Sequence, residues 1–163
     1  MQYKEEIIRN ANLMVAKGKG LLAADESTPT CTKRFTSIGV DSTEVKRNEY
    51  RDMLLTTPNM EEYISGVIFY DETLRQSTLN DNASFIKHLL DKGVIPGIKV
   101  DMGAKLLSGH EDEKVTEGLD GLRERLAEYY EMGARFAKWR AVITIGDGIP
   151  TQACYEANAH ALA

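Results

Sequence analysis

The chain alternates four times between a short, continuously apolar segment and a segment whose apolar residues have helical spacing. The apolar segments cover residues 20–24, 64–70, 94–100 and 135–145. Such runs are typical of strands buried on both faces of a sheet. Repeated units of this kind favour parallel strands joined by right-handed crossovers. We therefore predict an α/β fold.

The segments between these strands predict five helices. A first helix precedes the first strand, a second covers residues 42–55, and a third begins at Asn82 as its N-cap. A fourth begins near Leu119 and ends at Gly133, and Pro150 begins a last one. Two polar stretches, residues 25–41 and 102–117, are predicted to be loops.

Two architectures fit strict β–α alternation, a doubly wound sheet and a (β/α)₈ barrel. A complete barrel needs about 250 residues and eight units. This chain has 163 residues and four units, and its last predicted helix carries no stop signal. We therefore expect residues 1–163 to form a single piece, half of a larger fold.

Composition excludes several classes of function. The chain has 20 Lys plus Arg against 25 Asp plus Glu and no basic tract, so a nucleic-acid partner is not expected. Its apolar runs are well short of the roughly 20 residues that span a bilayer, so we expect no membrane association. The first residues do not resemble a signal peptide. Two cysteines, Cys31 and Cys154, are too few for a disulfide framework and indicate reduced thiols in the cytoplasm.

Polar side chains stand at the carboxyl ends of three predicted strands, where parallel α/β folds bind ligands. Asp25 follows the first strand, Lys99 lies on the third, and Lys138 and Arg140 lie on the fourth. A lysine within an apolar strand is costly unless it is paired or binds an anion. The pattern predicts a cationic site with Asp25 as counter-charge. Taken singly, each residue also has a structural explanation, such as a turn at Asp25 or an internal ion pair.

Several segments together resemble class I fructose-bisphosphate aldolases. They occur in the family's order and with family-like spacing along nearly the whole chain. The segments are residues 22–28, 33–34, 37–39, 72–74, 97–101, 118–122 and 136–140.

The resemblance implies a (β/α)₈ barrel that reversibly cleaves fructose 1,6-bisphosphate to dihydroxyacetone phosphate and glyceraldehyde 3-phosphate. The reaction proceeds through a lysine Schiff base and uses no cofactor. The resemblance implies catalytic roles for Asp25 and Lys138. It also implies a set of residues that bind the substrate phosphates, which comprises Ser27, Thr30, Arg34, Arg47, Lys99 and Arg140. Full-length members of the family are usually homotetramers.

The chain departs from the family in two ways. Residues 28–30 read Thr-Pro-Thr where many relatives have glycine and serine, and Asn48 follows Arg47 where an arginine pair is common. The family's Schiff-base lysine and its acid–base glutamate, on the sixth and fifth strands, would lie beyond Ala163. We therefore expect the 163 residues to be inactive on their own.

The sequence also bears on two other classes of function. A zinc-dependent aldolase is disfavoured, because the three histidines are far apart in sequence and show no ligand-like spacing; they are His88, His110 and His160. A non-catalytic binding or scaffold fragment with residual affinity for sugar phosphates remains the alternative.

Overall fold

The structure is a computed structural model that describes residues 3–163. These residues form two compact units, which are considered separately. The first contains residues 3–99 and 129–137, and the second contains residues 100–128 and 138–163. No helix within residues 3–163 is long and apolar enough to cross a membrane.

The helices and strands alternate along most of the described chain. The strands are β1 (Gly20–Ala24), β2 (Ile64–Phe69), β3 (Ile95–Lys99), β4 (Ala104–Leu106), β5 (Lys114–Thr116) and β6 (Phe136–Lys138). The helices are α1 (Lys4–Met14), α2 (Thr28–Thr36), α3 (Glu44–Leu55), α4 (Asp71–Leu74), α5 (Phe85–Asp91), α6 (Leu122–Met132) and α7 (Gln152–Leu162), with a 3₁₀ helix at Met60–Glu62.

A four-stranded sheet with the order β1-β2-β3-β6 organises the fold. Strand β2 pairs in parallel with β1 on one side and with β3 on the other. The prediction of an α/β fold with parallel strands is therefore confirmed. Strands β4 and β5 form a separate antiparallel pair in the second unit, within the stretch predicted to be a loop.

The two faces of the sheet in the first unit differ. Ala24, Phe69 and Ile98 lie in one row across β1, β2 and β3, and all three are at most 1% exposed. Helices α4 and α5 pack against β3. The opposite face has little room at Gly97, because a Cβ there would lie 2.3–2.5 Å from three carbons of the Phe136 ring. The Phe136 ring therefore occupies the space that the glycine leaves.

Helix α2 was predicted to be a loop and is the largest local difference. Its sequence is rich in threonine, which has modest helix propensity. Pro29 suits the first turn of a helix, however, and Cys31 and Phe35 are buried one turn apart. The buried face stabilises a helix that propensity by itself does not predict.

Other boundaries also differ from the prediction. Helix α5 begins after Ser84, whose side chain caps Lys87 N at 3.2 Å, whereas the predicted cap, Asn82, has a left-handed backbone with φ 55°. Of the fourth predicted strand, residues 135–145, only the three residues of β6 form a strand. In α3 the apolar Met53 is 60% exposed, whereas Arg51 and Leu55 are buried.

Candidate active site

The turn from β1 into α2 carries the first group of predicted site residues. Asp25 follows the last residue of β1, and Ser27 is the N-cap of α2 with an extended backbone. The hydroxyl oxygens of Ser27 and Thr30 lie 3.1 Å apart. A helix N-terminus presents backbone N–H groups and a partial positive charge, which favour a phosphate. Pro29 supplies no N–H, so the hydroxyls become more important for such a ligand.

Lys99 lies level with Asp25 in the sheet. Ala24 pairs with Phe69, and Phe69 pairs with Ile98, so the next position on each strand brings Asp25 and Lys99 into one row. They are two strands apart, about 10 Å between Cα atoms. Because side chains alternate along a strand, Lys99 shares the face of Gly97 on which the Phe136 ring lies. The structure thus brings the predicted acid and a predicted phosphate-binding lysine to the same end of the sheet.

Lys138 and Arg140 belong to the second unit. The carbonyl of Lys138 accepts a hydrogen bond from Val100 N at 3.1 Å. The carbonyl of Arg140 accepts one from the Thr116 hydroxyl at 2.7 Å, and Thr116 N donates in turn to the buried side chain of Asn158 at 3.3 Å. The backbone at Arg140 is therefore tied to β5 and, through Thr116, to α7, whereas the backbone at Lys138 is tied to Val100.

Arg34 lies on the exposed side of α2, close to acceptors from its own unit. Its guanidinium makes an ion pair with Glu26 and donates to the Tyr50 hydroxyl at 3.2 Å. The side chain keeps 55% of its surface exposed. The hydrogen bond and charge of Glu26 raise the pKa of Arg34, so the group is a permanent cation. Its exposure suits a residue that reaches a ligand from solvent.

Arg47 is held differently. Its Nε donates to both carboxylate oxygens of Glu72, at 2.8 and 3.1 Å, and its Nη1 donates to the Ser42 carbonyl at 2.7 Å. Only 13% of the side chain is exposed. Glu72 also accepts from the Thr28 hydroxyl at 3.2 Å, which links α3 to the start of α2. In this structure Arg47 organises the neighbouring helices, and its role at a phosphate stays a prediction.

Sequence reasoning missed Glu26 and Arg51. The side chain of Arg51 is only 2% exposed, and its guanidinium makes an ion pair with Glu26. Burial works to raise the pKa of Glu26, but a hydrogen bond from its own backbone N–H, the Arg51 guanidinium and the Tyr50 hydroxyl together hold it below its ordinary value. Glu26 lies within the segment 22–28 that carries the family resemblance. Nothing in the sequence indicated that Arg51, rather than Arg47, would be its partner in α3.

Within the described part of the chain, no group of three or more His, Cys, Asp and Glu side chains could hold a metal ion.

Known proteins resemble this chain along nearly its whole length. A sequence model of the family described as "Fructose-bisphosphate aldolase class-I" matches residues 6–163. A protein from Xanthomonas campestris named "Probable fructose-bisphosphate aldolase class 1" is 59% identical over 159 residues, which are 98% of this chain and 47% of the relative. A cytoplasmic isozyme of fructose-bisphosphate aldolase from Spinacia oleracea is 49% identical over 162 residues, 99% of this chain and 45% of the relative.

A solved structure gives the same result. It is fructose-bisphosphate aldolase from Plasmodium falciparum in complex with TRAP and a small-molecule inhibitor. It matches with a TM-score of 0.93 and 43% identity over 99% of this chain and 47% of that chain.

By its fold and by its similarity to this solved structure, the chain is an α/β protein with the strand arrangement of part of a (β/α)₈ barrel. More narrowly, the chain belongs to the class I fructose-bisphosphate aldolase family. It spans about half the length of the curated relatives it matches.

Proposed function

We propose that this chain forms one wall of the active site of a class I fructose-bisphosphate aldolase, which cleaves fructose 1,6-bisphosphate to two triose phosphates through a lysine Schiff base. The observation that carries the proposal is the pair of hydroxyls at the N-terminus of α2. The hydroxyl oxygens of Ser27 and Thr30 lie 3.1 Å apart, and Ser27 is two residues beyond Asp25. A phosphate dianion suits this place, and membership of the aldolase family indicates that the phosphate belongs to fructose 1,6-bisphosphate.

Each residue of the wall then has a chemical role. Ser27 and Thr30 donate hydrogen bonds to the C6 phosphate, while Lys99, Arg34 and Arg140 neutralise phosphate charge. Arg47 contributes to the same electrostatic field while it remains bound to Glu72.

Asp25 and Lys138 act at the reacting carbon atoms. Asp25 orients the Schiff-base lysine and handles the proton of the C4 hydroxyl. Lys138 stabilises the carbinolamine and the substrate hydroxyls.

The Schiff-base lysine of the family has no counterpart among these residues, because Lys99 and Lys138 match other roles. We therefore propose that residues 1–163 are the N-terminal half of the barrel, bind sugar phosphate and do not catalyse cleavage without the other half. Two buried unpaired cysteines suit a reducing compartment, which favours the cytoplasm. Homotetramer formation is proposed only for the complete protein.

Calorimetric titration with fructose 1,6-bisphosphate tests the binding role. The wild-type chain should bind, and replacement of both hydroxyls in Ser27→Ala/Thr30→Val should weaken binding about tenfold or more, because two hydrogen bonds to a charged group are lost. Ser37→Ala, at the other end of α2, is the matched control and should bind like wild type. Equal affinity of all three proteins would contradict the assignment of the phosphate.

A second experiment tests the chemistry. The chain is incubated with dihydroxyacetone phosphate and sodium borohydride, which reduces a Schiff base to a stable amine. Intact mass spectrometry should show no adduct. A stable adduct on this polypeptide would show that one of its own lysines is the nucleophile and would overturn the proposed division of roles.

A further inference from the structure

The buried guanidinium of Arg51 contacts the turn that carries the proposed phosphate ligands. We propose that Arg51 is a positioning residue, which fixes residues 25–31 so that Asp25, Ser27 and Thr30 are held ready for a sugar phosphate. The inference rests on the proposed function, since it concerns the same site.

Arg51 binds the turn at several points at once. Its Nη1 makes an ion pair with the Glu26 carboxylate, and its Nη2 donates to the Glu26 carbonyl at 2.6 Å. The same Nη2 lies 3.4 Å from the Cys31 sulfur, and Nε donates to the Thr73 hydroxyl at 3.1 Å. One planar group thus joins the main chain and side chain of residue 26 to α2 and to α4. A guanidinium offers five donors in a fixed fork, which suits this task.

The contacts fall between the proposed functional residues. Glu26 separates Asp25 from Ser27 in the chain, and holding its carbonyl fixes the peptide plane that joins Glu26 to Ser27. Cys31 follows Thr30 directly, and its N–H donates to the Ser27 carbonyl at 2.9 Å. Arg51 therefore restrains both ends of the segment that presents the two hydroxyls, without itself reaching the surface.

The electrostatics explain why the arrangement holds. A buried guanidinium is stable only with its charge compensated, and Glu26 supplies the compensation. The ring of Tyr50 lies under Arg51 with its centroid 5.1 Å away, and the Tyr50 hydroxyl donates to Glu26 at 3.1 Å. Because Glu26 also binds Arg34, one carboxylate joins the buried arginine to an arginine proposed to meet substrate phosphate.

A general structural role would destabilise the whole protein, whereas a positioning role loosens the turn. The alkylation rates of the two cysteines distinguish these two roles. Cys31 and Cys154 are each 1% exposed, and burial raises the pKa of both thiols. Cys31 lies in α2 directly after Thr30, where the helix joins the turn, and Cys154 lies in α7 of the other unit. Alkylation of Cys31 therefore reports opening of the turn, and alkylation of Cys154 is the internal reference.

The test uses Arg51→Lys in the full 163-residue chain. Lysine keeps the charge but cannot bind the Glu26 carboxylate, the Glu26 carbonyl and Thr73 together. We expect iodoacetamide, followed by peptide mass spectrometry, to modify Cys31 about tenfold faster than in wild type, with the Cys154 rate and the melting temperature unchanged. Titration of the same variant with fructose 1,6-bisphosphate should show affinity about tenfold weaker. Arg9→Lys, the same change on the exposed surface of α1, is the matched control.

A second variant covers the case in which Arg51→Lys fails to fold. Glu26→Gln keeps the size of the side chain and removes the charge that Arg51 binds, and it should change the Cys31 rate and the affinity in the same directions. Equal acceleration of Cys31 and Cys154, or unchanged affinity beside faster Cys31 labelling, would overturn the positioning role. Failure of the wild-type chain to bind fructose 1,6-bisphosphate would instead reject the proposed function, and the inference with it.

Discussion

Replacement of Gly97 by alanine tests how the sheet accommodates Phe136. An added Cβ would lie 2.3, 2.4 and 2.5 Å from Cζ, Cε2 and Cε1 of the ring, far inside the contact distance of about 3.5–4 Å between carbons. The ring cannot yield by a small torsion, because three of its atoms meet the new methyl group at once. Overpacking of this kind costs about 2 kcal/mol, and for a chain of this size the melting temperature should fall by about 6 °C.

Urea unfolding followed by circular dichroism measures the free energy of unfolding. Gly20→Ala is the matched control, because Gly20 lies in β1 of the same sheet and a Cβ there meets nothing within 4 Å. It should change the free energy of unfolding by about 0.5 kcal/mol at most. If Gly97→Ala were as stable as Gly20→Ala, the contact between Gly97 and the Phe136 ring would not exist in solution.

A double-mutant cycle identifies the ring as the cause of the strain. Phe136→Leu shortens the side chain and by itself should destabilise, since apolar contacts are lost. In Gly97→Ala/Phe136→Leu the new methyl group should partly fill the space, so the double variant should be at least about 1 kcal/mol more stable than the sum of the single changes predicts. Strict additivity would refute the reasoning.

Two further predictions follow from the ion pairs. The folded-state pKa of Glu26 lies below its ordinary value of 4.5, so the contribution of this carboxylate to stability is complete above pH 4.5 and is lost as the pH falls through the depressed folded-state pKa. The drop in melting temperature between pH 5 and pH 3 should therefore be smaller in Glu26→Gln than in wild type. An equal drop in the two proteins would contradict this. Arg34→Ala should weaken binding of fructose 1,6-bisphosphate with little change in melting temperature, whereas Arg47→Ala should mainly lower the melting temperature, because Arg47 is held by Glu72. Calorimetry and thermal melts of both variants check the pair, and the reverse pattern would show that Arg47 is the more important phosphate ligand.

Much of the fold could be predicted because its signals are local. The bounds of β1, Gly20–Ala24, follow from an apolar run that ends in a carboxylate. The second helix was predicted over residues 42–55 and covers Glu44–Leu55. Helix α2 could not be predicted, because its stability depends on burying Cys31 and Phe35 against residues distant in sequence. The β4–β5 pair was not predicted either, because strands of three residues each are too short to show a pattern in the sequence.

The residues of the candidate site could likewise be predicted only in part. The sequence indicated Asp25, Ser27 and Lys99, because polar groups that follow buried strands are conspicuous in the chain itself. It could not indicate that Glu26 binds Arg51, since 25 residues separate the partners and an arginine among polar neighbours in a helix is usually a surface residue.

The sequence by itself determined the α/β class, the family and the types of side chain that stand at the strand ends. These properties depend on local periodicity and on short segments, which can be recognised in the sequence without a structure. Only the tertiary structure decided which charges are buried and which remain exposed: Arg51 is enclosed, Arg47 is bound to Glu72, and Arg34 extends into solvent. The physical reason is that the energy of a charge depends on the groups that surround it in space, and those groups come from elements far apart in the chain.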